Sequence, residues 1–294
     1  MVSQQPRVVF VGDRSLVSPH FGCQLVGHTF REQFARTGMH LIASLSTDAT
    51  SLQTARQWFD QADLVVVNGE GSMHHGRCSH FIRLAESWPC ALVNCVYQDN
   101  LPLPELLRFQ YLTARESLST QAIRAHGANC DTVPDVIFAS SLLSSYVNLQ
   151  GPPVKKIGVT DNARKTAYRL GPFRWRFRPG PSPKSPMVTP YLGFLARHQR
   201  LCCGRFHAAV AAAVLRIPFS TWDSNTWKIE GMMSDMGLPH LHFRCRNDAL
   251  RAVPADFDPR IDSFVSQARD AIHRMFDRLA QIARENMAAS ARAA

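Results

Sequence analysis

The sequence predicts an α/β protein of two lobes, each with a mainly parallel sheet, facing one another across a cleft. Three observations carry this reading. Short runs rich in Val, Leu and Ile alternate with amphipathic segments through the first half, the signature of βαβ units. The alternation restarts near residue 155. The 294 residues suffice for two packed domains, so the chain is divided into 1–150 and 151–294.

In the first half, strand-like runs fall at 7–12, 40–46, 64–69, 91–97 and 111–115, and helix-like segments at 24–37, 51–61, 79–87, 103–109 and 117–126. VPDVIFAS (133–140) is expected to close this unit. In the second half, KKIGVTDN (155–162) opens a new sheet. It is followed by a helix at 188–198, a strand at 201–203, a helix at 205–215, the strand PFSTWD (218–223), a helix at 227–236 and the strand LHFR (241–244). Residues 260–290 form a long amphipathic helix, frayed where it runs into alanine. RWRFRPGPSPKSP (174–186) reads as a loop from its Pro, Gly and Arg content.

Apolar residues make up 45% of the chain and charged residues 19%, a composition that excludes disorder. No run approaches the roughly 18–20 apolar residues of a membrane span. MVSQQPR has neither the apolar stretch nor the cleavage site of an export signal, so a cytoplasmic location is expected. The eight cysteines lack a disulfide rhythm, and Cys90, Cys95, Cys202 and Cys203 sit in apolar runs, as reduced buried thiols do. The net charge of +10 suits nucleic acid, an anionic membrane surface or small anionic substrates. Part of it is local: Lys155, Lys156, Arg164, Lys165, Arg169, Arg174, Arg176, Arg178 and Lys184 face only Asp161. No nucleic-acid module is present, and aromatic and basic residues interleave only at FRWRFR, so no specific nucleic-acid partner is expected.

Ligands of open α/β sheets bind beyond the carboxyl ends of the strands, which singles out four loops. After 64–69 comes Asn68-Gly69-Glu70-Gly71-Ser72-Met73-His74-His75. Its glycines let backbone N–H groups approach an oxyanion, Ser72 donates a further hydrogen bond or caps the next helix, and His74 and His75 titrate near neutrality. Arg115, with Glu116 and Ser117, follows the strand at 111–115; it either reaches a ligand or forms a structural pair with Glu116. Gly204-Arg205-Phe206-His207 enters an alanine-rich helix, where unpaired N–H groups and the helix dipole favour an anion. Arg205 adds a planar fork and His207 a proton donor. Lys228, after Asn225, either holds a phosphate or lies on a solvated face. His74, His75, Cys78 and His80 match no usual zinc spacing, so no metal is expected. The first turn lacks G-x-G-x-x-G, so no dinucleotide cofactor is expected.

Asp63 to Ser72, then Arg115-Glu116-Ser117, then Gly204-Arg205-Phe206-His207, then Asn225 with Lys228 and Gly231, occur in this order. Together they resemble the polysaccharide pyruvyl transferase family, over residues 20–238. The resemblance implies two Rossmann-like lobes of GT-B-like form and transfer of a pyruvyl group from phosphoenolpyruvate, as co-substrate, to a sugar of a polysaccharide, glycan or precursor. It implies that Arg205, His207 and Arg115 hold the donor, with Phe206 between the first two. Gly69, Gly71, Ser72, His75, Asn225 and Lys228 join the binding set. His207, His74 and Glu70 are the catalytic candidates, His207 as acid and His74, His75 or Glu70 as base toward the acceptor. The family's early N-x-G-D-like turn is replaced here by His20-Phe21-Gly22-Cys23. The basic loop either covers the anionic ligand, touches an acidic lipid-linked or nucleotide-linked acceptor, with peripheral contact at the inner face of the membrane, or is a solvated loop. Two further readings stand beside this one: a glycosyltransferase using a nucleotide sugar, and a non-catalytic binder of anionic ligands.

Overall fold

The computed structural model describes residues 5–76, 79–147, 153–162 and 188–293. The chain runs through β1 (Arg7–Val11), α1 (Phe21–Arg36), β2 (His40–Leu45), α2 (Ala49–Thr54), α3 (Arg56–Phe59), β3 (Leu64–His74), α4 (Ser79–Ile82), β4 (Cys90–Gln98), β5 (Tyr111–Ala114), α5 (Ser117–Ala125), β6 (Asp131–Thr132) and α6 (Ser141–Val147). It continues through β7 (Lys155–Asn162), α7 (Val188–Ala196), β8 (His198–Gly204), α8 (Phe206–Val214), β9 (Phe219–Trp222), α9 (Lys228–Asp235), β10 (His242–Phe243), α10 (Arg246–Arg251) and α11 (Pro259–Ala293).

Two parallel sheets result. The first is ordered β2-β1-β3-β4-β5-β6 and the second β10-β9-β8-β7. Val8 to Val11 and Leu64 to Val67 are fully buried. They form continuous apolar runs rather than alternating ones because helices cover both faces of the sheet. All of α8 is buried, and its alanines let the backbone lie close to its neighbours.

One apolar core runs across both lobes, joining Phe10 and Phe30 of the first to Val210 and Phe219 of the second. The last helix belongs to both. Phe276 of α11 meets Phe30 and Phe34 edge-on, with centroids 5.3 and 5.7 Å apart. Arg36 pairs with Asp277 at 3.0 Å, and Asn286 donates to the Asp63 carbonyl at 2.9 Å. A second clasp joins α5 to α9. The Ser117 N–H donates to Asp235 Oδ2 (2.9 Å), and the Trp227 N–H donates to Gln98 Oε1 (2.9 Å).

The expected elements follow in the expected order, with β6, α6 and α10 as additional ones and with local corrections. Residues 68–74 are not a loop: β3 continues to His74, with a register shift between Glu70 and Met73 where Glu70 adopts φ +33. Ser72 lies inside that strand and caps no helix. The segment 133–140 carries a 3-10 turn at Val136–Ala139, which Asp135 caps by accepting from the Ile137 N–H. Residues 51–61 break into two short helices, and 103–109 hold a 3-10 turn led by Pro104. Arg205 is the N-cap of α8 and not part of its first turn. The basic run at 164–186, and the membrane or donor contacts expected of it, lie outside the described residues, as does Cys78.

The close seat of α8 makes a direct test. Ala212→Leu is expected to destabilise the fold by about 1–3 kcal/mol through overpacking, measured as a lowered urea midpoint with an unchanged slope.

Candidate functional site

The order β2-β1-β3 places β1 at the point where successive connections turn to opposite sides of the sheet, and a crevice opens there beyond the strand ends. A hollow of ≈ 260 Å³ occupies it. Arg14, Ser18, His20 and Cys23 reach it from the segment after β1, Glu70 and Gly71 from β3, and Arg115 from the end of β5. Across the crevice, Arg205, Phe206 and His207 reach it from the β8–α8 junction, and Ser224 and Lys228 from the segment after β9. Drug-sized ligands occupy roughly 300–1,000 Å³, so this hollow suits a small molecule.

Its chemistry is cationic. Arg115 is buried, its backbone held by the Cys95 carbonyl at 2.9 Å, and its guanidinium lies 4.6 Å above the Phe206 ring. That cation–π contact carries a first-lobe arginine onto a second-lobe aromatic. Lys228 is buried, and its Nζ donates to Asn225 Oδ1 at 2.7 Å. Burial, with the charges of Arg115 and Arg205 adding to it and Glu70 opposing, lowers its pKa from 10.5 to about 7. Gly71 lies between these cations: a Cβ there would be 3.9 Å from Lys228 Nζ and 4.0 Å from Arg115 Nη2. A side chain at 71 would occupy the space where a ligand meets both.

Beneath the hollow is a residue that was not singled out from the sequence. Asp135 is fully buried; its Oδ2 accepts from Arg115 Nη1 at 2.7 Å and lies 3.6 Å from His207 Nε2. Burial alone would raise its pKa, but His207 and Arg115 outweigh it and hold the carboxyl well below the ordinary aspartate range. The structural partner of Arg115 is therefore Asp135 and not Glu116. Glu116 instead caps α5, accepting from the Ser119 N–H at 2.9 Å. The signal for Asp135 in the sequence was a lone carboxylate inside the apolar run VPDVIF, which needs buried cations to be tolerated.

Glu70 is the other acid of the site. It is buried, its Oε1 accepts weakly from Cys23 Sγ at 3.7 Å, and its Oε2 has no hydrogen-bond partner. Burial and the neighbouring Glu70 charge push the Cys23 thiol up to about 12, so Cys23 stays a neutral donor. The left-handed conformation of Glu70, unfavourable by about 1–2 kcal/mol for a residue with a side chain, turns the carboxylate toward the hollow from what would otherwise be a regular strand.

The remaining expected residues are distributed differently. Gly69 faces β4, where a Cβ would collide with Cys95 Cβ at 2.3 Å, and does not line the hollow. Ser72, His74 and His75 lie outside its wall. His74 and His75 pair through their Nδ1 atoms at 2.7 Å, and His75 Nε2 meets Asp99 at 3.2 Å. Asn225 acts through Lys228. Residues after β1, chiefly Arg14 and His20, join the wall without having been singled out as site residues. His20 also caps α1, its Nδ1 accepting from the Gly22 N–H at 3.2 Å. No group of three or more metal-ligating side chains forms among the described residues. A larger groove of ≈ 380 Å³ opens at the opposite end of the first sheet, beside Tyr111, Asp131 and Arg278, away from the strand ends where such folds bind ligands.

No family model and no curated protein matches the chain. Among solved structures it is similar to an uncharacterised protein from Klebsiella pneumoniae subsp. pneumoniae NTUH-K2044. The two are 16% identical over 82% of this chain and 93% of that one, with a TM-score of 0.59, a likeness of fold. A variant of the O-GlcNAc transferase from Thermobaculum terrenum aligns at 10% identity over 98% of this chain and 69% of that one, with a TM-score of 0.46. No described helix is long and apolar enough to cross a membrane.

Lys228 is charged below about pH 7 and neutral above it, so an anion that needs its charge must bind together with a proton at higher pH. Sulfate is a dianion throughout this range. Its affinity, read by calorimetry, is expected to fall up to about tenfold per pH unit above pH 7, with proton uptake on binding. Lys228→Met is expected to remove most of that slope.

Proposed function

We propose that the chain transfers a pyruvyl group from phosphoenolpyruvate to a sugar hydroxyl pair, giving a cyclic ketal and inorganic phosphate. One observation carries the reading: Arg115, the Arg205–His207 pair and Lys228, from three separate stretches of the sequence, wall a single hollow of ≈ 260 Å³. Phosphoenolpyruvate has a carboxylate and a phosphate on a three-carbon frame. Two guanidiniums, an ammonium and the N-terminus of α8, which no side chain caps, complement both groups. The motif resemblance points to the same donor. The small volume favours it over a nucleotide sugar.

In the proposed reaction, an acid protonates the methylene carbon of the enol, and positive charge grows at the central carbon. A sugar hydroxyl adds there, phosphate leaves, and the neighbouring hydroxyl closes the ketal. One hydroxyl proton replaces that given to the carbon; the other leaves with phosphate. His207 serves as acid. Glu70, which lines the hollow and whose buried Oε2 has no hydrogen-bond partner, suits the acceptor better than His74 or His75, which lie outside it. The acceptor sugar, and any lipid carrying it, remain part of the proposal.

The test is phosphate release from phosphoenolpyruvate that depends on an added glycan, with mass spectrometry for a ketal-linked pyruvate. Nucleotide release from a nucleotide sugar, with no ketal formed, would sink the reading. His207→Ala is expected to lower kcat by about 10²–10⁴-fold. Arg205→Lys is expected to weaken donor binding by roughly ten- to a hundredfold, because the ammonium cannot form the two-pronged contact.

A further inference from the structure

The carboxylate of Asp135 lies under the hollow and outside its wall, yet it meets two of the groups that form the wall. Its Oδ2 receives Arg115 Nη1 at 2.7 Å and faces His207 Nε2 at 3.6 Å, while its Oδ1 is tied to the Ile137 N–H at 3.1 Å. The turn that carries it is anchored in turn: the Val136 N–H donates to Asn94 Oδ1 at 3.3 Å. Asn94 Nδ2 donates to Asn68 Oδ1 at 3.0 Å, and Asn68 Nδ2 to the Gly12 carbonyl at 3.1 Å. This buried amide ladder crosses the sheet from β1 to the turn, so the carboxylate is held from behind by rigid elements.

We propose that Asp135 is a positioning residue that fixes the plane of the Arg115 guanidinium and keeps the ring proton of His207 on Nε2, leaving Nδ1 as the nitrogen that exchanges protons in the reaction. The inference rests on the reading of the hollow as the reaction site. An ionised carboxylate has only lone pairs to offer, and a bare imidazole nitrogen turned toward it would repel it; a nitrogen bearing a proton is attracted. At 3.6 Å the contact is electrostatic and longer than a formed hydrogen bond. The opposite edge of the ring lies against Gly22 of α1, where a Cβ would be 2.0 Å from His207 Nδ1. Any side chain at 22 would push the imidazole from its place.

The test reads the ring directly, with no substrate present. The full-length protein is labelled with ¹⁵N in histidine, and the His207 signals are assigned by their loss in His207→Gln. At pH 7 the wild type is expected to show a protonated Nε2. In Asp135→Asn the amide oxygen is expected to keep Arg115 and its NH₂ to face Nε2, so that Nε2 becomes the unprotonated nitrogen, while circular dichroism stays native. The same variant is expected to lose about 10²–10⁴-fold in kcat with a much smaller change in KM. A bare Nε2 in the wild type, or an unchanged ring in a folded Asp135→Asn, overturns the proposal. If Asp135→Asn does not fold, the wild-type spectrum alone decides. A protonated Nε2 without ketal formation on any glycan would leave the positioning role standing and remove the assigned reaction.

Discussion

The buried pair between Arg115 and Asp135 is the interaction on which the site depends. Both side chains are sealed from solvent, at 1% and 0% exposure. Removing one partner from such a pair typically costs about 3–5 kcal/mol, because the other charge is stranded. The pair adds little to net stability over an apolar replacement; what it supplies is placement. Arg115 leaves β5 in the first lobe and stacks on Phe206 of the second, while Asp135 faces His207 at the start of α8. A single buried charge pair thus sets the relation between the two walls of the hollow. The shared apolar core and the return of α11 to the first lobe hold that relation fixed.

Around the pair, the fold concentrates positive charge where the topology already opens a crevice. The turn of connections at β1 and β3 leaves space beyond the strand ends, and the glycine at 71 keeps it open between Lys228 and Arg115. Burial among other positive groups takes Lys228 to about 7, so it is ready to gain a proton when an anion arrives. The two acids are separated by role. Asp135 is fully paired below the hollow, and Glu70 reaches it from a strained turn of β3 with one oxygen unpartnered.

Much of the architecture was legible in the sequence because apolar runs and amphipathic spacing are local signals. The strands at 7–11, 40–45, 90–98 and 219–222, and the long last helix, follow from them. That Arg205 to His207 would line the hollow was legible because a glycine, an arginine and a histidine stood where a buried alanine-rich helix begins. Asp135 was not, since its meaning comes from Arg115 and His207, 20 and 72 positions away, brought together only by the packing of the lobes. Nor was the burial of Lys228, which depends on the opposing lobe. The stretch from Asn68 to His75 was misread in part, because its two glycines suggest a loop, whereas a bulge at Glu70 lets the strand continue and carries His74 and His75 past the hollow.

The central claim is that this hollow seats a small anion bearing a carboxylate and a phosphate between the two lobes. A crystal structure of the protein grown with phosphoenolpyruvate tests it most directly. The expected result is phosphoenolpyruvate with its carboxylate and phosphate oxygens about 3 Å from the side chains of Arg115, Arg205 and Lys228. Density for the ligand only in the groove beside Tyr111 and Arg278, or none at a saturating concentration, would contradict it.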